Sequence, residues 1–408
     1  MRHPLLPWLL AVVTICLLRL LFPSESAITI LNEMAITIVF ALSYNMLLGQ
    51  GGMLSFGHAV YMGLGGFFAM HLMRFVEYDQ WPIPLPVLPL FAGLFGLAFA
   101  AVIGFFSTRR AGTTFAMISL GIGELVAASS IIVVAFFGGE EGISGDRTMG
   151  PPVFGVEWFS SGEVYWIITG WMLVSAALMY LFSRTPAGRM ANAVRDNPER
   201  AEFLGYSQAR VRFVSFCASG FFAGVAGGLF AINLEIVTEE NLNLATSGTI
   251  LLVTFLGGTG FFVGPIIGAV VFTLLKTVLG LETQLWGLYA GILFVVTVMF
   301  CPTGLAGLLA LHVLPARLGR LGSLVVPYVR ALVPGIVAVL SGACLLEMSF
   351  HAREAAQGDT AITLFWIAFD THSIISWVLL AIIFAASTWL TAKATPRLRD
   401  AFEEASTP

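Results

Sequence analysis

Charge is scarce in this 408-residue chain: Asp, Glu, Lys and Arg make up 11% of it and hydrophobic residues 58%, where an ordinary soluble domain is about 25% charged. Most of the length must therefore find a solvent other than water, which excludes a soluble globular enzyme and points to a polytopic membrane protein. Lysine is almost missing. Lys276 and Lys393 are the two present, preceded by Leu275 and Ala392, so neither completes a Gly-x-x-x-x-Gly-Lys-[Ser/Thr] phosphate loop. If ATP drives this protein, another chain binds it. The four cysteines, Cys16, Cys217, Cys301 and Cys344, lie singly in or beside apolar runs, without the close spacing of metal sites or redox pairs. They read as packing residues, and no metal site is expected. A net charge of −4 makes nucleic acid an unexpected partner; membrane lipid is the expected surroundings.

What is present is hydrophobic length. A helix needs about 20 apolar residues to cross a bilayer, and such runs fall near 5–22, 31–48, 53–73, 85–106, 113–137, 164–182, 213–233, 285–300, 325–346 and 374–391. Thr249 to Leu279 is too long for one crossing, and Gly257-Gly258-Thr259-Gly260 and Gly264-Pro265 interrupt it. A similar interruption, Gly49-Gln50-Gly51-Gly52, separates Tyr44-Asn45-Met46-Leu47-Leu48 from Met53-Leu54-Ser55-Phe56-Gly57-His58-Ala59. Both read Leu-Gly, more glycines, then a small-residue helix, a hint of a diverged internal repeat. The pattern predicts an all-α polytopic integral membrane protein of about 10–12 membrane segments, broken or re-entrant helices included. Residues 1–30 form the first membrane helix, although Arg2-His3, the apolar run and Ser24-Glu25-Ser26 also fit a cleaved leader. Residues 31–311 form the core, and 312–408 an extension with two further helices.

Basic residues choose the orientation. With the N-terminus inside, 15 of the 20 Lys and Arg residues fall in cytoplasmic loops and tails, three outside (Arg74, Arg147, Arg353) and two within apolar segments (Arg19, Lys276). This holds only if residues 249–279 cross twice or re-enter, turning on the cytoplasmic side. Glu140, Glu141, Asp146, Glu157, Glu163, Glu235, Glu239 and Glu240 then map to the exterior.

Residues 183–212 carry Arg184, Arg189, Arg195, Arg200, Arg210 and Arg212 in one cytoplasmic loop. Within it Asp196-Asn197-Pro198-Glu199 spells a helix start, with Asn197 or Asp196 as cap, Pro198 in the first turn and an acidic residue near the positive end of the dipole. Gly205 supplies the stop. A short capped helix standing alone in a cytoplasmic loop is something a partner can push, so Arg195, Asp196, Asn197, Pro198, Glu199, Arg200, Ala201, Glu202, Phe203, Leu204 and Gly205 are the candidate coupling residues. The other reading is a solvated connector.

An ionisable group at bilayer depth costs about 2.5–3.5 kcal/mol on insertion scales, so each needs a reason. Glu124, in Gly121-Ile122-Gly123-Glu124, sits midway through its span with no basic residue in reach on the same helix; it lines a path or clamps helices. His58, with Ser55 one turn before it, lines a path or packs. Glu33 complements a helix dipole. Asn45, Ser55, His58 and Glu124 are the candidate translocation path, and Gly49, Gly51, Gly52, Gly257, Gly258, Gly260, Gly264 and Pro265 the candidate hinges. Gly220-xxx-Gly224-xxx-Gly228 and Gly264-xxx-Gly268 offer faces for close helix contact. An intramembrane serine hydrolase using Ser55 and His58 lacks both a Gly-x-Ser-x-Gly elbow and a third group to orient the imidazole. An ion-coupled secondary transporter, with Glu124 and the broken helices as coupling sites, is the alternative from another class.

Three stretches resemble the inner-membrane permeases of branched-chain amino-acid ABC importers, the M-type of the two paired permeases in particular. Leu47-Leu48-Gly49-Gln50-Gly51-Gly52-Met53-Leu54-Ser55-Phe56-Gly57-His58-Ala59 is similar to that family's Leu-Leu-x-Gly-x-x-Gly-x-x-Ser-x-Gly-His-Ala segment. Gly188-Arg189 through Asp196 to Gly205 resembles its coupling loop, and Leu256-Gly257-Gly258-Thr259-Gly260 with Gly264-Pro265-Ile266-Ile267-Gly268-Ala269 its late glycine-rich signature. The family normally ends near Leu311, so the last two spans lie beyond the resemblance. The resemblance implies a permease subunit, not an enzyme, in a bacterial inner membrane with both termini cytoplasmic. It works with a second homologous permease, two cytoplasmic ATPase subunits and a periplasmic substrate-binding protein. No cofactor is expected on this chain; ATP and Mg belong to the ATPases.

Overall fold

The computed structural model describes residues 6–152, 155–354, 361–364, 367–371 and 373–406. The Arg2-His3 start and residues 355–359 of the expected exterior loop lie outside them. Nine helices among the described residues are long and apolar enough to cross a bilayer, and Trp286–Phe300 with Gly304–Arg317 forms an apolar helix pair bent by 50°, the geometry of a broken span or a re-entrant loop. Leu6–Leu21 and Leu244–Gly257 are apolar but shorter. The protein is thus a polytopic all-α membrane protein, decorated by two small two-stranded ribbons. Its contacts divide it into two compact units, Met1–Gly307 and Leu308–Pro408.

In chain order the main helices are α1 (Leu6–Leu21), α2 (Glu25–Asn45), α3 (Ala59–Asp79), α4 (Leu88–Ser107), α5 (Gly112–Ile132), α6 (Ser161–Arg184), α7 (Pro186–Asp196), α8 (Pro198–Phe203), α9 (Gln208–Leu234), α10 (Leu244–Gly257), α11 (Gly264–Leu274), α12 (Trp286–Phe300), α13 (Gly304–Leu311), α14 (Leu321–Glu354) and α15 (Ile374–Ser406). In the first unit α9 is the central post, packed along α4, α3 and α2. Lipid tails supply no hydrophobic drive between helices, so close approach must come from small residues. A Cβ on Gly96 of α4 would sit 3.0 Å from the Gly224 Cα of α9, and one on Gly65 of α3 only 2.6 Å from it. The face expected from Gly220, Gly224 and Gly228 is therefore a contact that admits no methyl group. Polar pairs add register: Asn32 of α2 donates to the Asn233 side chain of α9 at 3.0 Å. Around this post the buried core is continuous from Ala35 to Ala290.

The long stretch after Asn243 is a helical hairpin, α10 and α11, turning at 258–263 as expected. Asn243 caps α10 by accepting the Thr246 N–H at 3.0 Å. Fourteen residues of helix reach only about 21 Å, so α10 stops short of a full crossing. The other hairpin-like feature ties loops at the acidic end of the unit: β1 (Ile143–Ser144) pairs antiparallel with β2 (Ile236–Val237). There Arg147 gathers the Trp158, Phe159, Ile232 and Asn233 carbonyls and the Glu235 carboxylate.

Three expectations need correction, and a fourth, the helix at 285–300, is present and extended further. The span placed at 53–73 begins only at Ala59, because residues 51–58 leave the helical path. The 285–300 run is not an isolated straight span; its chain continues past Cys301-Pro302-Thr303 into a bent partner. Glu33 does more than meet a dipole, since its carboxylate takes the Lys276 ammonium at 2.6 Å. The last extension holds not only two helices but a hairpin between them, β3 (Ala361–Leu364) with β4 (Ile367–Asp370).

Candidate coupling and translocation site

The segment after Arg184 is built from two helices, so the expected short helix does not stand alone. Thr185 caps α7 by accepting the Gly188 N–H, with Pro186 in its first turn. Gly188, Ala191 and Val194 are buried along one face of α7, and Ala201 continues the buried side into α8. The expected cap of α8 is Asn197, whose Oδ1 accepts the Arg200 N–H at 2.9 Å. At its far end Gly205 stands at φ 87°, and the Gly205 and Tyr206 amides return to the Glu202 and Ala201 carbonyls. These paired bonds are a Schellman stop, and they need a residue free to enter the left-handed region. The tip is greasy: Phe203 is 91% and Leu204 69% exposed.

Between α7 and the first glycine break runs one direct link. The Arg195 guanidinium donates to the Gly49 carbonyl and pairs with Asp196 at 2.8 Å. Gly52, at φ 63°, lies under the same side chain; a Cβ there would meet Arg195 Cγ at 2.6 Å.

The break itself begins as a widened π turn at Met46–Gln50 and then runs through irregular, non-helical backbone to His58. Backbone groups released from a helix inside a membrane need partners from neighbouring helices. Serines and a tyrosine supply them. Ser119 of α5 accepts the Phe56 N–H at 3.1 Å, Ser247 of α10 the Ala59 N–H at 3.0 Å, and the Tyr44 hydroxyl donates to the Ser55 carbonyl at 2.9 Å. Ser219 of α9 donates to the Ser43 carbonyl at 2.7 Å. His58 is buried against Phe40, Tyr44 and Tyr61, with its Nε2 3.0 Å from Ser43 Oγ. Ser55 is not one helical turn before it, because residues 51–58 are not helical; His58 Nε2 meets Ser43, and no hydrogen bond joins Ser55 to His58, so the pair assumed for a Ser55/His58 hydrolase does not form. Asn45 Oδ1, Gln50 Oε1, Ser55 Oγ and His58 Nδ1 are buried without a hydrogen-bond partner in the protein.

The second break is held by close backbone packing. Gly258, at φ 107°, faces the Thr303 carbonyl, and Gly257, Gly264 and Gly304 crowd around it so closely that Cβ atoms have no room. Gly268 lies against Val253 and Gly257 across the α10–α11 hairpin, whereas Gly260 faces open space. Pro265 sits in the first turn of α11. The two breaks abut, since the Thr259 carbonyl oxygen lies 2.5 Å from where a Gly49 Cβ would stand. Structure thus brings together the coupling segment, both breaks, Asn45, Ser55 and His58. Glu124 stands apart, exposed on α5 at mid-helix. Gly121 beside it also faces open space. No cation among the described residues pairs with Glu124.

Sequence reasoning missed the serines at 43, 119, 219 and 247, the Thr303-Gly304 wall and α7. Thr185-Pro186 followed by small apolar residues at helical spacing was the available signal for α7.

A bundle of broken membrane helices with a capped helix pair beside the breaks fits a membrane permease subunit. A match to the family described as "branched-chain amino acid transport system / permease component" covers residues 26–301, and the chain belongs to that family. It is the permease subunit of an ABC importer. Among curated relatives it is 26% identical over 321 residues to the high-affinity branched-chain amino acid transport system permease protein LivM of Salmonella typhimurium, covering 73% of this chain and 74% of that protein. It is 26% identical over 305 residues to LivM of Escherichia coli K12, 69% and 70% of the two chains. The autoinducer 2 import system permease protein LsrC of Yersinia enterocolitica is 30% identical over 145 residues, 34% of this chain and 38% of that one. No solved structure matches the chain.

Proposed function

We propose that the chain forms part of the conduit for branched-chain amino acids or similar small organic solutes, opened by force entering at Asn197–Gly205. The observation carrying this reading is the Arg195 link to the Gly49 carbonyl, which joins the lever segment to the first break. The exposed Phe203 and Leu204 side chains suit insertion into an apolar groove of a cytoplasmic ATPase subunit. Two such ATPases bind the ATP and Mg, and a periplasmic binding protein delivers the solute. The termini face the cytoplasm.

Displacement of α7 and α8 pulls the 46–58 segment through Arg195. The unpaired Asn45, Ser55 and His58 atoms favour the moved state, since an unmet buried polar group costs about 1–3 kcal/mol and hydration of an opening conduit relieves it. Glu124, uncovered on α5, meets the second permease across the conduit.

The test is the full complex in liposomes. Phe203→Ser/Leu204→Ser should abolish co-purification of the ATPase and ATP-driven uptake while leaving the permease folded and monodisperse. Retained ATPase binding with normal uptake would remove the lever from the account.

A further inference from the structure

The second unit, Leu308–Pro408, carries a site of its own. Helices α14 and α15 run side by side in opposite directions, with the Arg320 guanidinium near the start of α14 reaching the Glu404 carbonyl near the end of α15. Between them lies a groove of about 750 Å³ whose walls include Pro334, Val337, Ile383 and Leu390, and whose lining also includes Arg330, Lys393 and Arg397. Arg330 is the last charge before the apolar run 331–346, and Lys393 the first after 374–392. Runs of that size span about 24–29 Å as helix, so these cations stand where hydrocarbon gives way to headgroups. Their counter-charge is missing. Lys393 lies over the Trp389 ring at 5.0 Å. The nearby Arg399 takes Glu403, and no acidic side chain among the described residues pairs with Arg330, Lys393 or Arg397.

Proline shapes the mouth. Pro327 and Pro334 lie inside α14 and both line the groove. A proline removes the bond to the carbonyl four residues back. Pro334 therefore leaves the Arg330 carbonyl without that partner, an acceptor beside the cations.

We propose that this groove binds one anionic phospholipid. Its phosphodiester is held by Arg330, Lys393 and Arg397, and an acyl chain lies between α14 and α15. Basic pockets between membrane helices at the headgroup level recognise anionic lipid in this way. The apolar walls favour a lipid over free phosphate, and the Arg330 carbonyl suits a headgroup hydroxyl, as in phosphatidylglycerol.

The test is native mass spectrometry of the purified full chain, titrated separately with dioleoylphosphatidylglycerol, dioleoylphosphatidylcholine and inorganic phosphate. One phosphatidylglycerol should remain bound at saturation, with phosphatidylcholine about tenfold weaker. Each of Arg330→Gln, Lys393→Gln and Arg397→Gln should weaken phosphatidylglycerol by about fivefold, and Val337→Trp, which fills the groove without touching charge, should also weaken it. Arg109→Gln/Arg110→Gln, in the other unit, should not. Equal binding of the two lipids, unchanged binding by the triple Gln variant or by Val337→Trp, or displacement by inorganic phosphate would each overturn the proposal. Dimers that shed lipid as they form would give the groove to a second copy and overturn it equally.

Discussion

The two glycine breaks abut at one end of the bundle, yet they are secured in opposite ways. At 46–58 the released backbone is pinned by side chains: Tyr44, Ser119, Ser247 and Arg195 each satisfy a group the helix let go. At 257–264 the backbones of Gly257, Gly258, Gly264 and Gly304 pack directly on one another, and the absence of side chains is what lets them meet. A break pinned by side chains can be released by moving one of them. A break closed by backbone contact moves only with the whole α10–α11 hairpin. The first therefore suits a gate and the second a pivot.

Adding atoms to the pivot should have the largest effect. Gly258→Val meets the Thr303 backbone and forces a branched residue to φ 107°. A loss of about 3 kcal/mol or more is expected, seen as collapse of monodisperse yield in detergent. A variant as stable as wild type would end the distinction between the breaks. Arg195→Ala comes next. ATP-driven uptake should fall about tenfold, a coupling loss of ordinary size, while the ATPase still co-purifies. Loss of the ATPase as well would mean that Arg195 holds the docking surface rather than the gate. Tyr44→Phe leaves the buried Ser55 carbonyl without its donor and should lower the thermal midpoint by the equivalent of about 1–2 kcal/mol. An unchanged midpoint would show that the first break is not pinned there.

The smallest effect lies at the opposite end of the bundle and serves as the control for both breaks. Hydrogen bonds from the Thr148 hydroxyl and amide hold the Asp146 carboxyl below its ordinary value of 3.8. A depressed folded pKa means stability that is present above the unfolded value and lost as pH falls through the folded one. Asp146→Asn should therefore flatten the slope of stability below about pH 4 and leave uptake at neutral pH intact. A slope identical to wild type would remove Asp146 from the acid response.

Much of this arrangement was legible in residue order. Asn197, Pro198 and Gly205 carry their capping chemistry in their identities, and the interrupted Thr249–Leu279 run could balance the charges only by crossing twice or re-entering. Contacts joining distant residues were not legible. Nothing in Arg195 names Gly49 as its acceptor, because 146 residues separate them. Nothing in three scattered serines, Ser119, Ser219 and Ser247, says that they repair one broken helix. Ser55 and His58 were misplaced for a related reason: apolar neighbours suggested helix, while Gly51, Gly52 and Gly57 let the chain leave the helix along an irregular route that Ser119 and Tyr44 could satisfy. Glu124 is legible as an anomaly, but its surroundings depend on what covers α5.

Arg147 holds the far loop against the C-terminal end of α9, binding the Ile232 and Asn233 carbonyls there. The N-terminal end of α9 begins at Gln208, only a few residues past the Gly205 stop. Twenty-seven residues of unbroken helix make a push-rod of about 40 Å. If α8 is the lever we propose, a stroke delivered at the foot of α9 would arrive at the far end of the bundle as motion of the 143–147 strand and loop, so both ends share one shaft.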